Sequence, residues 1–249
     1  MDAKFDYLLR LGDNALVLSQ QLGAWCGHGP ALEEDLALTN VALDLLGQAR
    51  LWLGYAGEVE GLGRDEDALA YLRDGGAFRN LLLVEQPNGH YGDTAMRQFL
   101  FDAWHLQLLA ALVHSSDPRM AEIAQKASKE VRYHVQRSAQ LVVALGDGTA
   151  LSHDRMQASL DKLWPFTQEW FESDPVDAAC AQQGLAPPAA SLAEAWRNNV
   201  AAVLERATLR MPQTTGHQRG GRQGVHSEYL GHLLAELQFV QRAYPGARW

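Results

Sequence analysis

The stretch Glu130-Val131-Arg132-Tyr133-His134-Val135-Gln136-Arg137 lies within residues 118–146, a long run that reads as helix. Residues three and four apart share a helix face, so Lys126, Glu130, His134 and Arg137 fall together. The stretch comes within one residue of Glu-x-x-His, the spacing by which a helix lends two ligands to a carboxylate-bridged di-iron centre. Three places after Glu130 stands Tyr133, and the histidine follows at His134.

Three more acids sit in strongly apolar helical stretches. Asp13 lies between Leu11 and Leu16, Asp44 lies in VALDLLG, and Asp102 lies in FLFDAWHLQLL. Asn40 and Gln48 flank Asp44 by one turn, and Gln98 and His105 align with Asp102. Asp13 and Asp44 are 31 residues apart, and Asp102 and Glu130 are 28, each about one hairpin of two helices. In a four-helix carboxylate site, each hairpin supplies a lone acid and then a Glu-x-x-His pair. On that template Asp13 and Asp102 are the lone acids, and the pairs become Asp44-x-x-Gly47 and Glu130-x-x-Tyr133. Both histidines are missing: Gly47 has no donor, and Tyr133 is an unusual ligand.

Taken singly, each acid is more ordinarily an edge residue or a satisfied buried group. Their matching register makes them a candidate vestigial di-iron site. If four carboxylates met without metal, repulsion would have to be offset by cations or hydrogen bonds. The expectation is an internal network involving Lys126, His105, His134 and Arg137, with no metal. His105 and His134 also keep open an independent iron-binding ferritin-like oxidase or oxygenase with an atypical carboxylate site.

Composition supports an all-α chain. Leu (38) and Ala (36) far outnumber Val (14) and Ile (1), a balance that favours helices over sheets. Helices are expected at about 3–26, 32–59, 65–72, 94–114, 118–146, 152–172, 191–209 and 227–243, with 173–190 as an interrupted stretch. The irregular segment between the second and third long helices is too long for a tight turn and reads as a crossover. The expected fold is a ferritin-like four-helix bundle with one long crossover and additional C-terminal helices. A single domain over 1–249 is expected, with the bundle at about 3–146 and a helical extension at about 150–249.

A formal net charge of −9 argues against nucleic acid or an anionic membrane as partner. Cys26 and Cys180 are too few and too far apart for a disulfide framework or a cluster. No apolar run reaches membrane-spanning length and no cleavage signal opens the chain, so a cytoplasmic protein is expected. The loop at 212–226, with His217, Arg219, Arg222 and His226, is a candidate surface for an acidic partner or a phosphate, or else a solvated loop. Six of the seven tryptophans, Trp25, Trp52, Trp104, Trp164, Trp170 and Trp196, read as core or interface anchors.

Several segments carry a resemblance: LRLGDNALVLSQQLGAWCGHGP, DLALTNVALDLLGQARLWLGYA, NLLLVEQPNGHYGDTAMRQF, DAWH, KEVRYH, GGRQGVHSEYLG and LAELQFVQR. Over nearly its whole length the chain resembles the PaaC-type subunits of bacterial ring-1,2-phenylacetyl-CoA epoxidases, the multicomponent monooxygenases of aerobic phenylacetate degradation. The resemblance implies a non-catalytic subunit that pairs with a paralogous catalytic ferritin-like subunit, which holds the di-iron centre. It further implies a reductase subunit with flavin and an iron–sulfur cluster, and no cofactor in this chain. Association with other monooxygenase subunits is expected, and self-association of the lone chain stays open.

Overall fold

The computed structural model describes residues 2–213 and 216–247, and among them every regular element is helical. The helices are α1 (Ala3–Gly23), α2 (Leu32–Glu60), α3 (Glu66–Tyr71), α4 (Tyr91–Leu112), α5 (Pro118–Gly146), α6 (Ala150–Leu163), α7 (Pro175–Gln182), α8 (Ala193–Arg206) and α9 (Glu228–Ala243). The expected boundaries hold within a few residues for the long helices, and α5 begins and ends where Asp117-Pro118 and Gly146 place it. Its first free N–H groups are met by the Asp117 carboxylate. Two differences are local. The helix expected over 152–172 stops at Leu163 and continues as two 3-10 turns around Pro165. The interrupted stretch contains α7, whose start is built by Asp174 and Asp177 capping each other's backbone around Pro175.

The chain forms two compact units. The first comprises 1–87 and 219–249. In it α1 packs along α2, and α9 packs against α1 and α3. The second comprises 88–218. There α4 packs along α5, with α6 and α8 against both. Each unit thus carries one of the two long helical hairpins of the ferritin-like fold class, and the crossover ends where the second unit begins.

That crossover is unusual for a loop, because residues 80–86 are all buried. Buried backbone must find partners, and here α1 supplies them. Leu81 N–H donates to Asn14 Oδ1 (2.7 Å), Arg79 N–H donates to Asp13 Oδ2 (2.8 Å), and Gln21 Nε2 donates to the Glu85 carbonyl (3.2 Å). Leaving one such group unpaired would cost on the order of 1–3 kcal/mol. The polar residues of α1 therefore serve the crossover backbone. Gly221 lets the chain before α9 press on the same segment, since a Cβ there would lie 2.2 Å from the Asn80 carbonyl oxygen.

The second unit has an aromatic core. Trp164, Trp170, Phe171 and Trp196 stack with ring centroids 5.3–6.1 Å apart, and Trp196 Nε1 donates to the Leu100 carbonyl (3.1 Å). Trp52 and Trp104 are also buried, while Trp25 is half-buried. No described helix is long and apolar enough to cross a membrane.

Candidate functional site

Burial decides which face of each hairpin points inward. On α2 the buried stripe runs through Leu38, Val41, Ala42, Leu45, Gln48, Ala49 and Trp52. Asp44 is only half-buried and Gly47 is exposed. On α5 the stripe runs through Met120, Ile123, Ala127, Val131, His134, Ser138 and Val142. Glu130 is half-buried and Tyr133 is 53% exposed. The inward i, i+3 pairs are therefore Leu45-x-x-Gln48 and Val131-x-x-His134, one residue later than the spacing of acids suggested. His134 thus lies on the buried stripe of α5, three places after the buried Val131.

The lone acids Asp13 and Asp102 are both fully buried, and each unit treats its own differently. In the first unit, Arg73, from the turn after α3, closes a two-pronged pair on Asp13: Nη1 donates to Oδ2 at 3.0 Å and Nη2 donates to Oδ1. The guanidinium stacks 4.3 Å from the Phe78 ring centre and also donates to the Ala77 carbonyl (2.9 Å). With the Arg79 N–H added, both Asp13 oxygens are occupied by donors. Arg79 in turn pairs with Asp6 (3.3 Å).

In the second unit, Asp102 accepts from Gln98 Nε2 (2.6 Å). Burial pushes its carboxyl up to about 6, against the opposing pull of His134, Ser138, Gln98 and Arg137. His105 lies one turn further along α4, stacked on Phe101 (5.1 Å) and Trp104 (6.4 Å). Burial, and secondarily the nearby His134, push it down to about 3, so it stays neutral. Of the expected network, His134 and Arg137 act on Asp102 and His134 acts on His105, whereas Lys126 is exposed. Arg97 is a further buried charge: it donates to Asn88 Oδ1 (2.7 Å), and burial pulls it down to about 10 while Asp93 opposes.

This donor set does not suit a di-iron centre. Asp13 is already saturated by an arginine, and Leu45 and Val131 offer no donor atom where the template needs bridging acids. Among the described residues, no group of three or more His, Cys, Asp or Glu gathers closely enough to hold a metal ion. Sequence reasoning missed Arg73. It lies about sixty residues from its partner in an irregular segment, where no periodicity announces it.

The 212–226 loop divides. Residues 214–215 lie outside the described part. Arg219 is exposed, whereas Arg222 and His226 turn inward. His226 Nε2 donates to the Phe78 carbonyl (3.1 Å), and its Nδ1 faces Glu85 Oε2 at 3.4 Å. Glu85, fully buried in the crossover, also accepts from Ser227 N–H (3.0 Å), at the start of α9. Glu85→Ala is expected to cost about 1–3 kcal/mol and to speed exchange of the Ser227 amide. Glu85→Gln, which keeps an acceptor, should lose less. Urea unfolding with hydrogen exchange checks this, and equal losses in the two variants would contradict it.

These features define an all-helical, ferritin-like protein with one fully buried acid, Asp13 or Asp102, in each of its two long hairpins. The chain belongs to the family described as phenylacetic acid catabolic protein, whose model matches residues 1–249. It is 52% identical over 243 residues, 98% of each chain, to a subunit of the 1,2-phenylacetyl-CoA epoxidase of Escherichia coli (strain K12).

Proposed function

We propose that this chain is the non-catalytic subunit of a cytoplasmic multicomponent di-iron monooxygenase that epoxidises phenylacetyl-CoA in aerobic phenylacetate catabolism. In this reading it pairs with a paralogous catalytic ferritin-like subunit that holds the iron, while a reductase with flavin and an iron–sulfur cluster supplies electrons. The chain carries no cofactor of its own. The kinship with the Escherichia coli epoxidase protein supports the reaction. One structural observation carries the non-catalytic role: Arg73 neutralises Asp13, and Leu45 and Val131 stand where acids are required.

Each hairpin then carries half of a relict ligand pattern, Asp13 with Leu45 and Gln48 in the first unit and Asp102 with Val131 and His134 in the second. Its remaining groups have been reassigned: Asp13 holds the crossover, and Asp102 sits in a polar cluster. The contribution to the reaction is structural, by supporting the catalytic partner. Exposed leucines on α2 (Leu32, Leu36 and Leu43) favour a subunit that works in association, because single chains rarely leave such rows uncovered.

The test has two readouts. The chain purified alone and loaded anaerobically with ferrous iron is expected to retain none above background. About two irons per chain, with an oxo-bridged absorption band after exposure to O₂, would instead establish an independent di-iron protein. Mixed with the catalytic paralogue and reductase, the chain should co-migrate with the paralogue and raise its turnover of phenylacetyl-CoA. Full turnover in its absence would end the supporting role.

A further inference from the structure

In the first unit α9 buries one stripe, Leu230, Leu234 and Gln238. Polar contacts fix it there. Gln238 Nε2 donates to the Ala70 and Arg73 carbonyls, both at 2.9 Å. Arg242 donates to the Tyr71 carbonyl (3.2 Å), the Arg73 carbonyl (2.9 Å) and Asp74 Oδ1 (3.0 Å). The opposite face of α9 is exposed. Solvent-facing helix surfaces are ordinarily polar, as on α5, where Lys126, Lys129, Arg132 and Gln136 are exposed. On α9 the exposed face instead carries Tyr229, Val240 and Phe239, the last of them 63% exposed, with Ala235 and Ala243 between. A groove lined by Gly75, Leu234, Ala235 and Ala243 opens beside Phe239.

The order of these residues is self-complementary. Tyr229, His232, Glu236, Phe239 and Ala243 recur at alternating steps of three and four, which makes one seam along the helix. Lay a second α9 antiparallel on the first, with the two-fold axis at residue 234. Tyr229 then faces Phe239 of the second copy, and His232 faces its Glu236. Each contact occurs twice, as an isologous interface requires. The aromatic pairs supply apolar area at both ends, and the imidazole and carboxylate supply a donor and an acceptor in the middle. Neither the His232 nor the Glu236 side chain makes a hydrogen bond or ion pair among the described residues. Parallel pairing would set Glu236 against Glu236, so the charges select the antiparallel order.

We propose that the exposed face of α9 pairs antiparallel with α9 of a second copy of this chain. The seam is short. Its 16 residues span about 24 Å, and one helix pair of that length covers less than the roughly 800 Å² per partner of a stable complex. The dimer is therefore weak, in the micromolar range. The pairing is argued from α9 alone and stands whether or not the chain works within an oxygenase.

Sedimentation velocity of the full chain over a micromolar concentration series tests this. The net charge of −9 opposes self-association, so the series is run at about 0.15 M salt, where the Debye length is about 8 Å. The wild type should pass from monomer to dimer. Phe239→Asp should weaken the dimer about tenfold or more. His232→Glu, which sets carboxylate against carboxylate, should weaken it by about the same factor. His232→Glu/Glu236→Lys should restore it, because opposite charges again face each other. All three positions are exposed, so the fold is kept, and circular dichroism verifies that. A monomer throughout, a dimer indifferent to Phe239→Asp, or no recovery in the double variant would each overturn the proposal. So would normal self-association of Phe239→Asp with lost co-migration with the catalytic paralogue, which would assign the face to that partner.

Discussion

Arg73→Met is expected to destabilise the chain by about 3–5 kcal/mol, the usual cost of stripping one partner from a buried ion pair. Asp13 is fully buried and Arg73 nearly so, and methionine replaces the guanidinium without restoring a charge. The Asp13 carboxylate would then hold only the Arg79 N–H, in a place that water cannot reach. The double variant Asp13→Asn/Arg73→Met removes the uncompensated charge and should recover much of the loss. Urea unfolding of the wild type, Arg73→Met and the double variant measures this. A single-variant loss below about 1 kcal/mol, the level of an exposed pair, would mean that the pair does not hold the crossover. The same variants separate fold from metal chemistry, because the buried stripe of α2 still offers no acid to a freed Asp13. Iron retention should remain at background in all three.

The second large effect concerns Asp102. Its carboxyl titrates near 6 in the folded chain, against a usual value of 3.8. The folded state therefore binds more protons than the unfolded state between these values. Stability from this group is present below about pH 4 and is lost as pH rises through 6, a swing of roughly 3 kcal/mol at 1.36 kcal/mol per unit. His105 acts the other way. Its folded value near 3 lies below the usual 6.5, so its contribution is present above about pH 6.5 and is lost as pH falls toward 3. The two trends partly cancel in the wild type between pH 4 and 6, which hides both. Asp102→Asn exposes them. The variant should match the wild type near pH 4 and exceed its stability by up to about 3 kcal/mol at pH 7.5, because asparagine keeps the shape without the buried charge. Unfolding midpoints on either side of the isoelectric region test this. A stability difference that does not change with pH would show that Asp102 does not titrate in this window.

Much of the architecture is legible locally. Leu and Ala at helical spacing, Asp117-Pro118 before α5, and glycines after α2 and at the end of α5 mark helix positions through backbone physics that needs no distant partner. The α7 start was equally local, in Asp174-Pro175 and Asp177, but its brevity hid it among prolines and glycines. The acids were conspicuous for the same reason: charge inside an apolar run stands out without any knowledge of the fold.

Which acids matter was not local. The sequence by itself determined an all-helical chain with two hairpins, four conspicuous acids and a specific family resemblance. Helical spacing fixes that Glu130 and His134 share a face, but not which face turns inward, and a one-residue shift rotates the stripe by about 100°. Only the packed structure put Val131 and His134 inside and Tyr133 outside, with Leu45 and Gln48 inside and Gly47 outside. Tertiary structure alone also brought Arg73 to Asp13 and His226 to Glu85, across about 60 and 140 residues. Such pairs depend on where an irregular segment returns, and that is set by burial summed over the whole unit rather than by any propensity along the chain.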